Sequence, residues 1–213
     1  AIRENFTTVT GAAANDSYPT RFPTVETRAE RVEVLLAPDN AREGVRELVG
    51  SADESLLVEQ PRLDPRGAFA NWTIDAARRG VRVRVLLSGT WYNEAENRNT
   101  TERLNRVAAA EGLDLAAKLV EPRSRFEKVH VKGAVVDGER AVVGSLNWND
   151  HAATENREVV VVVEDPAVGD YYRRAFRADW RGGAWRLPAV LGAVVAAMAL
   201  AGVAAASRID FDG

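Results

Sequence analysis

The sequence has no cysteine, two histidines (His130 and His151) and three lysines (Lys118, Lys128 and Lys132). Without cysteine there is no disulfide framework and no thiolate metal site. A net charge of −3 removes the global basic footprint expected of a nucleic-acid binder. Residues 1–27 lack a basic start followed by an apolar run, so they do not read as a signal peptide. They are rich in Thr, Asn, Ala and Pro and read as a linker or inter-repeat connector over 1–28. Position 1 is Ala rather than Met, which reads as processing or as a fragment. The 213 residues have room for one ordinary domain, expected over 29–181, plus extensions.

Against this background the stretch from Val129 to Asn149, VHVKGAVVDGERAVVGSLNWN, stands out. His130, Lys132 and Asp137 follow the order H-x-K-x4-D, and Gly144, Ser145 and Asn147 follow as G-S-x-N. His130 and Lys132 lie two apart in an alternating apolar run, so a strand would direct both side chains to one face. Asp137-Gly138 is a two-residue hairpin signal, with Ala141 to Val143 returning as the second strand. Ser145 and Asn147 then emerge where that strand ends. An imidazole can attack phosphorus while an ammonium, a hydroxyl and an amide hold charged oxygens. In so His- and Lys-poor a chain, composition gives roughly 0.002 chance matches to H-x-K-x4-D, before G-S-x-N is required.

These residues resemble the HKD motif of the phospholipase D superfamily. Asn156-Arg157-Glu158 resembles the N-x-E element of that family, and Leu36 to Asn40 and Arg79 to Leu86 fit its framework. The likeness runs from about Val32 to Trp180 and departs at Ala152, where many members carry Ser. It implies a phosphohistidine mechanism with no cofactor and no metal. His130 is then nucleophile or general acid, and Lys132 and Asn147 hold phosphate oxygens with Ser145 near them. Glu158 would accept a hydrogen bond from the far ring nitrogen of His130. Asp137 completes the candidate catalytic set, although its place in a turn suits a structural part better. The mechanism needs a second histidine from a second motif. His151 is not in another H-x-K and reads as a loop residue at the rim. The missing half is expected in a longer chain, with a homodimer as the alternative.

Periodicity alone predicts strands at Arg31–Leu36, Leu56–Glu59, Val81–Leu87 and Leu113–Val120, and at Glu158–Glu164, whose valine run suggests burial on both faces. Helices are expected from Asp39 or Asn40 to Val49, over Gly67–Arg79 and Thr101–Glu111, and along Val168, Tyr171, Tyr172, Ala175 and Phe176. Ser88 to Thr100 reads as a polar loop with Trp91 and Tyr92 exposed. Alternation of strands and helices predicts an α/β fold, a mixed β-sheet sandwiched by helices, in agreement with the resemblance.

Leu187 to Ala206 is twenty residues without a charge, long enough to span a bilayer, and is expected as a C-terminal apolar, transmembrane helix. A buried terminal helix is the alternative, because the segment is rich in Ala and Gly. Arg173, Arg174, Arg177, Arg181 and Arg186 before it favour a cytoplasmic domain. Four N-x-S/T sequons, at Asn5, Asn15, Asn71 and Asn99, favour an extracytoplasmic one, and the balance leans outward. A membrane anchor and net charge −3 favour phospholipid as the phosphodiester substrate, in a phospholipase D- or cardiolipin synthase-like reaction. Arg123, Arg125 and Lys128, with Arg82 and Arg84 nearby, would suit the alternative, a metal-independent nuclease acting on nucleic acid. Trp91 and Trp148 are candidates for stacking on bases or resting at a lipid interface. The non-enzymatic alternative is a membrane-tethered half-repeat.

Overall fold

The computed structural model describes residues 22–120 and 128–181. The chain divides into the units Ala1–Trp180 and Arg181–Gly213, and the fold that follows belongs to the first. The expected apolar span at 187–206, the first part of the connector and Arg123 and Arg125 lie outside the described residues. Among the described residues, no helix is long and apolar enough to cross a membrane.

The elements run β1 (Arg31–Ala37), α1 (Ala41–Gly50), β2 (Ser55–Gln60), α2 (Ala68–Arg78), β3 (Arg82–Ser88), α3 (Glu94–Glu111), β4 (Leu115–Val120), β5 (Gly133–Val136), β6 (Arg140–Gly144), α4 (Asp150–Glu155), β7 (Glu158–Glu164) and α5 (Pro166–Arg181). One seven-stranded mixed sheet has the order β1-β7-β6-β5-β2-β3-β4. Strands β2, β3 and β4 are parallel, and the other pairings are antiparallel. One face packs on Val45 and Val49 of α1, Phe69 and Ile74 of α2, Leu104 of α3 and Ala153 of α4. The other packs on Phe176, Tyr172 and Trp180 of α5. The expected sandwich of helices about a mixed sheet is therefore present.

The hairpin between β5 and β6 turns at Asp137 and Gly138, with φ of 54° and 76°. Positive φ at both central residues is what a type I′ turn demands, and Asp followed by Gly accepts it cheaply. Phe22 and Thr27, at the end of the connector, touch the last helical layer. Phe22 meets Tyr171 edge-on at 6.0 Å, and the Thr27 hydroxyl donates to Asp165 at 2.8 Å.

Several elements differ from expectation. Helix α3 starts at Glu94, not Thr101, because its first turns bury polar rather than apolar side chains. Asn97 donates from Nδ2 to the carbonyls of Pro61 and Ser88, and Thr100 donates to that of Leu63. Asn40 precedes α1 but does not cap it with its side chain; Oδ1 accepts from the Leu36 N–H at 2.7 Å instead. Strand β7 is not buried on both faces. Val160 and Val162 enter the core, whereas Val159 is exposed beside Val32, Val34 and Leu36 of β1, which pairs with β7. Among the described residues, α5 packs over the other end of the sheet and this apolar strip is exposed, Val34 to 59%. The short helix α4 was not anticipated. Two sequons fall inside α2 and α3, and their threonines are buried: Thr73 donates to the Phe69 carbonyl and Thr101 to that of Arg98. Both hydroxyls thus have a packing reason.

Candidate active site

Strand pairing assembles the candidate residues at one edge of the sheet. The partners Glu59 with Gly133, Gly133 with Val143, Gly144 with Val160 and Ala37 with Glu158 align five strand ends there. They are the ends of β2, β6 and β1 and the starts of β5 and β7. Glycine is needed twice at this edge. A Cβ on Gly144 would lie 2.1 Å from the Val159 carbonyl oxygen, and one on Gly133 would lie 2.8 Å from that of Val142. Any side chain at either position would wedge neighbouring strands apart just where the motif residues leave them.

His130 and Lys132 precede β5 rather than lying within it, contrary to the strand expected there. They converge nonetheless. Lys132 Nζ is 3.4 Å from His130 Nδ1 and 3.3 Å from Nε2, and it donates to the His130 carbonyl at 3.2 Å. His130 is exposed and Lys132 half-buried. The Lys132 ammonium, then partial burial and the Lys128 charge, hold the imidazole below its ordinary pKa. A neutral ring at neutral pH is the form able to attack an electrophile. Burial also lowers the pKa of Lys132, opposed by the Glu158 carboxylate; Lys128 lowers it further and Tyr92 opposes.

Ser145 leaves the end of β6 exposed. Its hydroxyl donates to Glu158 Oε2 and accepts the Val159 N–H at 3.1 Å. Asn156 Nδ2 donates to the other Glu158 oxygen at 3.2 Å. The expected bond from the His130 ring to Glu158 is thus replaced by bonds from Ser145 and Asn156, while the carboxylate acts on Lys132 through its charge. Asn147 is half-buried between Leu146 and Trp148, both in the core. Trp148 is 2% exposed and stacked on Phe69 at 5.6 Å, which removes it from any role in stacking bases or meeting lipid.

Asp137 is not brought to His130. It lies at the far end of β5, five residues and roughly 15 Å from Lys132 along an extended chain. Its carboxylate accepts N–H groups from Asp53, Glu54 and Ser55, the latter two at 2.8 and 2.9 Å, and pairs with Arg140 at 3.0 Å. Its part is to tie the hairpin turn to the start of β2. Arg82 and Arg84 also belong elsewhere: they begin β3, far from its site end, and both pair with Asp114. His151 is exposed on α4.

Sequence reasoning missed two residues at the end of β2. Glu59, opposite Gly133, is buried, and desolvation followed by the charge of Asp179 pushes its pKa up to about 8. Gln60 is fully buried, with neither amide atom hydrogen-bonded. Two polar residues ending an apolar strand were the available signal.

A family model described as cardiolipin synthase, phospholipase D-like domain, matches residues 45–180. The chain is 30% identical over 103 residues to a mitochondrial cardiolipin hydrolase of Xenopus tropicalis, covering 48% of this chain and 44% of that protein. It is 29% identical over 99 residues to a phospholipase D of Rickettsia bellii, covering 46% and 44%. The chain thus spans about half the length of these curated relatives. Among solved structures it is similar to a phospholipase D family member, Nuc, from Salmonella typhimurium. The TM-score is 0.57 at 23% identity, over 71% of this chain and 94% of that one, a likeness of fold.

Proposed function

Since this chain belongs to the phospholipase D-like domain family of cardiolipin synthase, with residues 45–180 matched, we propose that it cleaves or transfers phosphodiesters through a phosphohistidine formed on His130. Phospholipid is the substrate this reading favours. The observation that carries it is the contact between the Lys132 ammonium and both His130 ring nitrogens on an exposed sheet edge. Neutral His130 supplies an electron pair to phosphorus, and the P–O bond to one alcohol breaks. Lys132 and Asn147 offset the charge gathering on the non-bridging oxygens. Water or a second alcohol then attacks phosphorus, breaks the P–N bond and restores the imidazole. Ser145 and Glu158 position this cluster, one hydroxyl linking the carboxylate to the β7 backbone.

Protonation of the leaving oxygen falls to a second motif, from another copy of the chain or from another part of a longer one. The open apolar strip of Val32, Val34, Leu36 and Val159 supports such a partner, because it ends at the strand edge that carries Glu158. A metal-independent nuclease and a non-catalytic half-repeat remain the competing readings, separated from this one by assay.

His130→Ala is expected to abolish release of headgroup from phosphatidylglycerol or cardiolipin vesicles while leaving the circular-dichroism spectrum and Tm unchanged. Acid-labile, base-stable phosphate on the wild-type protein, missing from the variant, identifies the intermediate. Full turnover by the variant would sink the mechanism. Cleavage of single-stranded DNA with no lipid turnover would replace the substrate.

A further inference from the structure

Trp91 is 86% exposed and Tyr92 51% exposed, and they meet edge-on with ring centroids 5.5 Å apart. They follow the end of β3, at the same sheet edge as His130 and Lys132. The phenol of Tyr92 lies near enough to act on the charge of the Lys132 ammonium. Val131, between the two motif residues, is also exposed. The rim of the phosphate-binding cluster therefore carries a tryptophan, a tyrosine and a valine that no described residue covers. Tryptophan and tyrosine have apolar bodies with one polar tip, the chemistry that settles at a lipid–water boundary.

The described cations that act on His130 are Lys132 and Lys128, a pair that suits a single headgroup phosphate. Among the described residues, Arg62 pairs with Glu96, Arg98 with Glu94 and Arg157 with Asp39. A polyanionic strand gains most of its affinity from many cations along its path, and these three arginines each have a carboxylate neighbour that competes for them. We propose that Trp91 and Tyr92 dock the active-site edge onto a bilayer, holding His130 and Lys132 at the level of the headgroup phosphates. The proposal deepens the phosphodiesterase reading and rests on it for its purpose, but not for its measurement. Docking of this kind draws on apolar burial, so it survives high salt, whereas phosphate steering does not.

The absence of cysteine makes a clean test available. In the full chain, Ala95→Cys, an exposed position at the start of α3 three residues after Tyr92, carries one environment-sensitive fluorophore and leaves both rings in place. On vesicles of phosphatidylcholine with a minor fraction of phosphatidylglycerol, emission should rise about threefold, shift to the blue and resist aqueous iodide, even at about 1 M salt, where the Debye length is about 3 Å. Separately, Trp91→Ala should lower the ratio of vesicle-lipid turnover to soluble-diester turnover about tenfold. A silent probe with vesicles, or one responding only to single-stranded DNA at low salt, overturns the proposal. So does a response that follows protein concentration without lipid, which would make this rim a contact between copies. Wild-type turnover of the soluble diester is measured alongside. If it is absent while the probe responds to vesicles, the phosphodiesterase reading fails and docking stands; if it is present while the probe is silent, docking fails and the chemistry stands.

Discussion

The ammonium nitrogen of Lys132 stands 3.3 Å from Nε2 and 3.4 Å from Nδ1 of His130. Being nearly equidistant from the two, it is not committed to a linear bond with either ring nitrogen. It acts on the ring mainly through charge, and that charge is the largest cause of the depressed imidazole pKa. One cation thereby holds His130 deprotonated and remains free to meet a phosphate oxygen when substrate arrives.

A shifted pH profile follows. Activity that requires neutral His130 should persist below the ordinary histidine value of 6.5 and fall only as pH passes the depressed pKa. Lys132→Met removes the main cause, so the acid limb should move up toward 6.5. Loss of the oxygen-binding cation should also cut kcat roughly 100- to 1,000-fold. The profile of kcat/KM against pH for both proteins checks this. An acid limb that stays in place in the variant would refute the electrostatic account.

Asp137 makes the opposite case, a motif residue whose work is architectural. Its burial favours the neutral acid, but the N–H groups of Ser55, Glu54 and Asp53, aided by Arg140, outweigh that and lower its pKa. Asparagine accepts the left-handed backbone at φ 54° but lacks the charge and one acceptor. Asp137→Asn should therefore cost about 1–3 kcal/mol of stability. Because the folded-state pKa is depressed, that difference is full above the ordinary aspartate range and fades as pH falls through the folded value. Denaturant unfolding at neutral and acid pH measures it. At saturating substrate the folded variant should keep turnover within about threefold of wild type, since no reacting atom is within reach. A loss as deep as that of His130→Ala would restore Asp137 to the chemistry.

How far the sequence carried the reading depended on the kind of signal. Strands and most helices were legible because an apolar period of two or 3.6 residues reports burial directly. The first turns of α3 were not, since Asn97 and Thr100 are buried through hydrogen bonds that no hydropathy pattern records. The valine run of β7 misled for a related reason. Composition shows that a face is apolar, but not whether a layer covers it, and here α5 lies over the other end of the sheet. In the site, spacing was enough to bring His130 and Lys132 together and to place Ser145 at a strand end. Partner choice was not legible: Glu158 takes Ser145 and Asn156, because the Ser145 hydroxyl also reaches the Val159 N–H and is fixed there. Arg84 and Trp148 were displaced by register, one to the far end of β3 and the other into the core.

The open strip on β1 and β7 predicts assembly for the chain as it stands. Val34→Asp places a charge at the centre of that strip without entering the helix-covered core. It should leave the monomer folded, abolish any two-fold species in analytical ultracentrifugation, and remove activity that needs a second motif. Wild-type specific activity should rise with protein concentration until the assembly saturates. Activity proportional to concentration throughout, unchanged in the variant, would mean that one chain suffices.

Glu59 offers a test independent of catalysis. It is buried opposite Gly133, and desolvation, with Asp179 adding to it, raises its pKa from 4.5 to about 8. The folded protein thus holds a neutral carboxylic acid that the unfolded chain would ionise near the ordinary value. Below about pH 4.5 both states are protonated and stability is undiminished. As pH rises toward about 8, the unfolded state releases a proton that the folded state keeps, so stability falls; above that pH the loss is constant. At about 1.4 kcal/mol per pKa unit, the whole effect is on the order of a few kcal/mol. Glu59→Gln retains shape and polarity and cannot ionise. It should raise Tm relative to wild type at pH 8, with little difference near pH 4.5, where the two side chains are isosteric neutral groups. Thermal melts across that range read the result. Parallel curves for the two proteins would show that the carboxyl is solvated or paired in solution, and that the α5 layer does not seal it against the sheet.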